Sequence, residues 1–92
     1  MLFVIYCKDK PGHLDLRIAT RDAHLAHVDA TDMDIRIAGP LLDEEENMVG
    51  SMFVVEASNR DAVEAFSAAD PYCQASLFES VEIHTFRQVF PR

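Results

Sequence analysis

Two side chains in this chain have the types needed to move a proton near neutral pH. One is the histidine in Arg21-Asp22-Ala23-His24-Leu25, the other the aspartate in Ala69-Asp70-Pro71-Tyr72. Histidine is the residue whose charge changes closest to physiological pH, so a cleft histidine is a natural proton shuttle. A carboxylate bonded to one ring nitrogen fixes the tautomer and stabilises the imidazolium, which leaves the other nitrogen to act as a base. If the fold joins His24 to Asp70, the pair is an acid/base dyad. If it does not, each has a plain structural reading: a boundary histidine with one hydrogen bond, and an Asp-Pro helix N-cap.

Further residues cluster around this pair. Arg17, Arg21, His24 and Val28 follow one another at helical steps of four, three and four, so they form one line along a helix. The two arginines are suited to an anionic substrate or to developing oxyanion charge, the alternative being weak surface ion pairing. Ser51 follows Gly50, where a hydroxyl has room to meet a ligand. It lacks a nucleophile-elbow pattern and is not read as a covalent nucleophile. Tyr72 and Tyr6 are suited to line a pocket or to pack. A metal alternative would combine His24 and His27 with Asp32 or Asp34, but no helical zinc motif is present. His13 and His84 stand alone. The acidic run Asp43-Glu44-Glu45-Glu46 reads as a solvated loop with at most unspecific affinity for divalent ions.

The 92 residues make one domain, spanning 1–92, with a thin core of its own. A net charge of −8 disfavours nucleic acid and anionic membrane as partners. The apolar run Leu2–Cys7 is too short for a signal segment and has no basic residues ahead of it, so the expected location is cytoplasmic. Cys7 and Cys73 then read as free thiols, with Cys7 buried and inert.

The elements that must position these groups follow from the pattern. Leu2–Cys7 is β-branched and aromatic, a strand. Lys8–Gly12 is a turn. His13–Met33 reads as a helix with Leu14, Ile18, Leu25 and Val28 on its apolar face. Ile35–Leu42 is a strand that Gly39-Pro40 should end or bend. Met48–Ala57 is a third strand. Ser58 and Asp61 match a capping box ahead of a helix over Asn59–Ala69, packed through Ala62, Val63, Ala65, Phe66 and Ala69. Pro71 stops that helix and opens a short turn over 71–77, with Asp70 as its N-cap. Glu79–Val89 is a last strand with Val81 and Ile83 on one face. The order β-α-β-β-α-β predicts an α+β, ferredoxin-like fold with an antiparallel sheet and its helices on one face. Leu2–Cys7 and Met52–Val55 do not alternate, so both sheet faces want burial. A second copy of the chain is the expected cover, giving a homodimer.

Together Phe3–Asp9, Arg21–Leu25, Ala38-Gly39-Pro40-Leu41, Gly50-Ser51, Ala69–Tyr72 and Gln88-Val89-Phe90 resemble the YCII-related family, in order and over nearly the whole chain. The resemblance implies ferredoxin-like protomers paired in a dimeric α/β barrel, similar to muconolactone isomerases. It implies a His–Asp site that maps to His24 and Asp70, with Arg21, Ser51, Gly39 and Pro40 on the same cleft. It implies a lyase, a dehydrochlorinase acting on a chlorohydroxyhydroquinone with no redox cofactor or metal. Muconolactone-isomerase-like proton transfer, a non-catalytic ligand-binding dimer, and a haem- or metal-dependent monooxygenase of the same barrel class are the alternatives.

Overall fold

The computed structural model describes all 92 residues. The chain forms β1 (Leu2–Asp9), α1 (Leu14–Ala30), β2 (Asp34–Leu42), β3 (Met48–Glu56), α2 (Arg60–Ala69), α3 (Pro71–Gln74) and β4 (Phe78–Phe86). The four strands make one sheet in the order β2-β3-β1-β4, with every neighbouring pair antiparallel. This is the expected ferredoxin-like arrangement, with the short α3 as a third helix.

The central strands alternate in space although their sequences do not. Phe3, Ile5 and Cys7 of β1 and Phe53 and Val55 of β3 are buried beneath the helices, where they meet Val63 and Phe66 of α2. Leu2, Val4, Tyr6, Met52 and Val54 occupy the alternate positions and lie half-buried on the opposite face. No helix covers that face. Gly12 turns the chain from β1 into α1 at φ 73°, a region in which a side chain is strained. A Cβ on Gly50 would run into the carbonyl oxygen of Cys7, so glycine lets β3 close on β1 beside Ser51.

Five expectations change. The strand expected to end at Gly39-Pro40 runs through to Leu42 and is an edge strand, where the N–H that proline lacks costs no ladder bond on the solvent side. The cap of α2 is Asn59, whose Oδ1 accepts from the Ala62 amide at 2.9 Å, so the Ser58–Asp61 box does not form. Within α2 only Val63, Phe66 and Ser67 are buried, and Ala62, Ala65 and Ala69 face outward. The largest change is the rotation of α1. Ile18 is 56% exposed while Arg17 is 2% exposed, so the Arg17 end of the polar line points inward and part of the expected apolar face points out. The last strand ends at Phe86, three residues before the expected Val89.

Cys7 is enclosed as expected. Burial, with lesser contributions from the charges of Asp70 and Cys73, pushes its thiol from 9.0 up to about 12. The folded state therefore holds this proton through a pH range in which the unfolded chain releases it. Its contribution to stability is complete below pH 9 and is lost as pH rises toward 12. We predict that Cys7→Ala flattens the fall in urea-unfolding stability across that range. At pH 8.5 iodoacetamide should label Cys73 in the native protein and reach Cys7 only in denaturant. Labelling of native Cys7 at the rate of a free thiol would contradict its placement.

Candidate active site

The sheet and α1 bring His24 to Asp70. His24 Nδ1 lies 2.9 Å from Asp70 Oδ1, with side-chain exposures of 12% and 3%. The carboxylate accepts, so Nδ1 carries the proton and Nε2 is the nitrogen left without a protein partner. The same Asp70 oxygen accepts from the Tyr72 amide at 2.9 Å, which makes Asp70 the N-cap of α3. One carboxylate thus both caps α3 and pairs with His24. α2 ends on Asp70 because Pro71 cannot continue it, and that break aims the side chain toward α1.

The Tyr72 ring fixes the imidazole from one side. The two rings stack with centroids 4.1 Å apart at an interplanar angle of 17°, and Phe53 meets His24 edge-on at 6.0 Å. The guanidinium carbon of Arg17 lies 4.4 Å from the Tyr72 ring centroid, a cation–π contact. Burial and the charge of Asp70 raise the Tyr72 pKa, against the opposing pull of Arg17 and Arg21.

Arg17 is held in its turn. Its Nε donates to Asp9 Oδ2 at 2.6 Å, and its Nη2 donates to Asp9 Oδ1 and to Ser51 Oγ, each at 2.9 Å. Burial works to lower the Arg17 pKa, but hydrogen bonding and charge from Asp9 outweigh it and raise the value. The arginine is a permanent cation inside the layer, matched by a fork-to-carboxylate pair. Arg17 is thus no surface ion pair: it is buried and matched by Asp9. No buried side-chain polar atom in the molecule lacks a partner.

Beside this chain of contacts lies a cleft of about 150 Å³ between α1 and the β2–β3 edge. Arg17, Arg21, His24, Gly39, Pro40, Ser51 and Tyr72 all line it, so the sequence-derived residues other than Asp70 converge there, and Asp70 stands directly behind His24. Leu25, Val28, Ala38, Met48 and Phe53 supply apolar wall. An apolar cavity of this volume is known to hold a benzene ring. Tyr6 does not line it. It borders a separate, larger groove of about 680 Å³ at the β1–α1 turn, which holds neither His24 nor Asp70. The metal alternative does not assemble: His27 Nε2 faces the Phe66 carbonyl at 3.3 Å, and no group of three or more His, Cys, Asp or Glu side chains is placed to hold an ion. His13 bonds the Pro11 carbonyl and His84 pairs with Glu82, both away from the cleft. In the acidic loop Asp43 Oδ1 accepts from the Glu45 and Asn47 amides and closes the turn.

The residue that sequence reasoning missed is Asp9, which reads as one member of the turn Lys-Asp-Lys-Pro-Gly. The only signal for it was an arginine on the His24 helix line with no acidic neighbour at helical spacing. Asp9→Ala leaves a buried guanidinium without its counter-ion. Such losses typically cost about 3–5 kcal/mol, a large share of the ~5–10 kcal/mol expected of a domain this size. We predict a loss of that order in urea unfolding; a loss below about 1 kcal/mol would show that Arg17 does not depend on Asp9.

Comparison with known proteins places the chain in a family. The YCII-related domain matches residues 1–87. Protein YciI of Escherichia coli is 35% identical over 98 aligned positions, covering 98% of this chain and 100% of that protein. An uncharacterized protein of Haemophilus influenzae is 32% identical over the same shares of the two chains. Among solved structures, 5-chloro-2-hydroxyhydroquinone dehydrochlorinase from Burkholderia phenoliruptrix, in complex with 2,5-dihydroxybenzoquinone, superposes with a TM-score of 0.86 at 36% identity. That match covers 95% of this chain and 94% of the dehydrochlorinase. An antibiotic biosynthesis monooxygenase at 14% identity and a TM-score of 0.60, covering 97% and 99%, shares the fold alone. With the family's domain spanning nearly its whole length and relatives above 30% identity covering it end to end, the chain belongs to the YCII-related family.

Proposed function

We propose that the cleft is the active site of an acid/base lyase that eliminates HCl from a small chlorinated, hydroxylated ring. The observation that carries this reading is the His24–Asp70 hydrogen bond at the floor of a ring-sized cleft. The similarity to the Burkholderia dehydrochlorinase supports the choice of ring.

The step needs only protons and a leaving group. His24 Nε2 takes the proton of the hydroxyl adjacent to the carbon–chlorine bond and returns it to the chlorine-bearing carbon, giving a ketone tautomer. It then takes the proton of the hydroxyl para to the first. The electron pair released there moves through the ring and expels chloride with the C–Cl bonding pair. The products are a hydroxyquinone and HCl, with no net oxidation. Asp70 holds the imidazole in the Nδ1–H tautomer and offsets its charge each time it is protonated, while the Tyr72 face stabilises the same cation.

The reading extends to a homodimer. The uncovered sheet face presents Leu2, Val4, Tyr6, Met52 and Val54, with Ile37 beside them at 60% exposure. Another copy offering the same face is self-complementary about a two-fold axis. Sedimentation should give twice the 10.4 kDa chain mass. Val54→Glu should move it to the monomer; a wild-type monomer at micromolar concentration would count against the pairing.

Asp70→Asn keeps an acceptor for the Tyr72 amide, so it should fold, yet it removes the charge behind His24. Against 5-chloro-2-hydroxyhydroquinone, His24→Ala and Asp70→Asn should each lower kcat about 10²–10⁴-fold, the usual contribution of a positioned acid/base group. Chloride release at wild-type rate by either folded variant would sink the proposal.

A further inference from the structure

The two arginines of the cleft differ in one respect that bears on substrate choice. The charge of Arg17 is already matched, since Asp9 takes two of its donors and Ser51 a third. Arg21, one helical turn further on, lines the same cleft but makes no hydrogen bond and no ion pair. Its side chain is exposed at the mouth, on the line that leads down to His24. An anion entering here meets one cation that has no carboxylate partner, in a protein whose net charge of −8 otherwise repels it. The charge of Arg21 is felt inside the cleft, because it acts on the Tyr72 phenol.

We infer that Arg21 is the group that reads substrate charge, and that the cleft takes a ring carrying an ionised oxygen at its mouth. Asp9 offsets the charge of Arg17, whereas Arg21 has no carboxylate partner. The inference rests on the cleft being the ligand site proposed above and names the class of ring admitted to it. A phenolate or hydroxyquinone anion enters with its oxygen toward Arg21 and its ring beside His24 and Tyr72. A neutral ring of the same shape keeps the apolar contacts and loses the charged one.

Calorimetric titration of the full chain at low salt separates these cases, with 2,5-dihydroxybenzoquinone as the ionised probe and hydroquinone as the neutral one. The wild type should bind the anion roughly tenfold or more tightly than the neutral ring, the scale of one charge-assisted hydrogen bond at a partly exposed site. Arg21→Gln should lose about that factor for the anion and leave the neutral ring unchanged. Arg21→Lys should recover much of it, and added salt should erase most of the preference. Wild-type affinity for the anion in Arg21→Gln, or an equal loss for both rings, would overturn the inference. So would a wild type that binds neither ring. The expected pattern in a protein that releases no chloride would uphold the charge reading and count against the dehydrochlorinase reading alone.

Discussion

A single buried guanidinium orders the interior of this molecule. Arg17 sits between helix and sheet, where an uncompensated charge is costly, and Asp9 and Ser51 compensate it. Replacing such a pair with apolar residues is often neutral or better for stability, so its presence is weak evidence of a stabilising role. Its clearest consequence is geometric. It rotates α1 so that Arg17 and His24 face inward, and it places a cation against one side of the Tyr72 ring while His24 stacks on that ring. From Asp9 to Arg17, Tyr72, His24 and Asp70, each group constrains the next. The imidazole is fixed by a hydrogen bond and by ring contacts with Tyr72 and Phe53, as a catalytic base must be if its free nitrogen is to stay aimed at a ligand.

The topology was legible because it rests on local signals. A β-branched run, a proline after a helix and a glycine-containing turn each act within a few residues. The order of elements then leaves few ways to build an antiparallel sheet with helices on one face. The dyad was only half legible. Helical spacing placed Arg17, Arg21 and His24 on one line, and Asp-Pro marked a helix junction, but nothing in those segments states that the two meet. That pairing came from the resemblance of the whole chain to its family.

The rotation of α1 was not legible, for a physical reason. An amphipathic helix is read by assuming that apolar residues point inward. Here a non-local carboxylate at the end of β1 makes it favourable to bury an arginine and leave Ile18 in solvent. The capping of α2 failed on a finer scale. Ser58 and Asn59 are both good caps, and the extended backbone of Asn59 decides between them. Cleft residues contributed by backbone, such as Gly39, are also invisible to residue chemistry, since their place on the wall depends on the register of β2 against β3.

The central claim is that Asp70 holds His24 in one tautomer, with Nε2 as the free base. Nitrogen-15 NMR of the imidazole in labelled protein reads this directly at a pH where the ring is neutral. The account predicts a protonated Nδ1 and an unprotonated Nε2 in the wild type, with that preference lost in Asp70→Ala, which removes the accepting oxygen. A wild-type ring protonated at Nε2, or a tautomer indifferent to the Asp70 substitution, would contradict it.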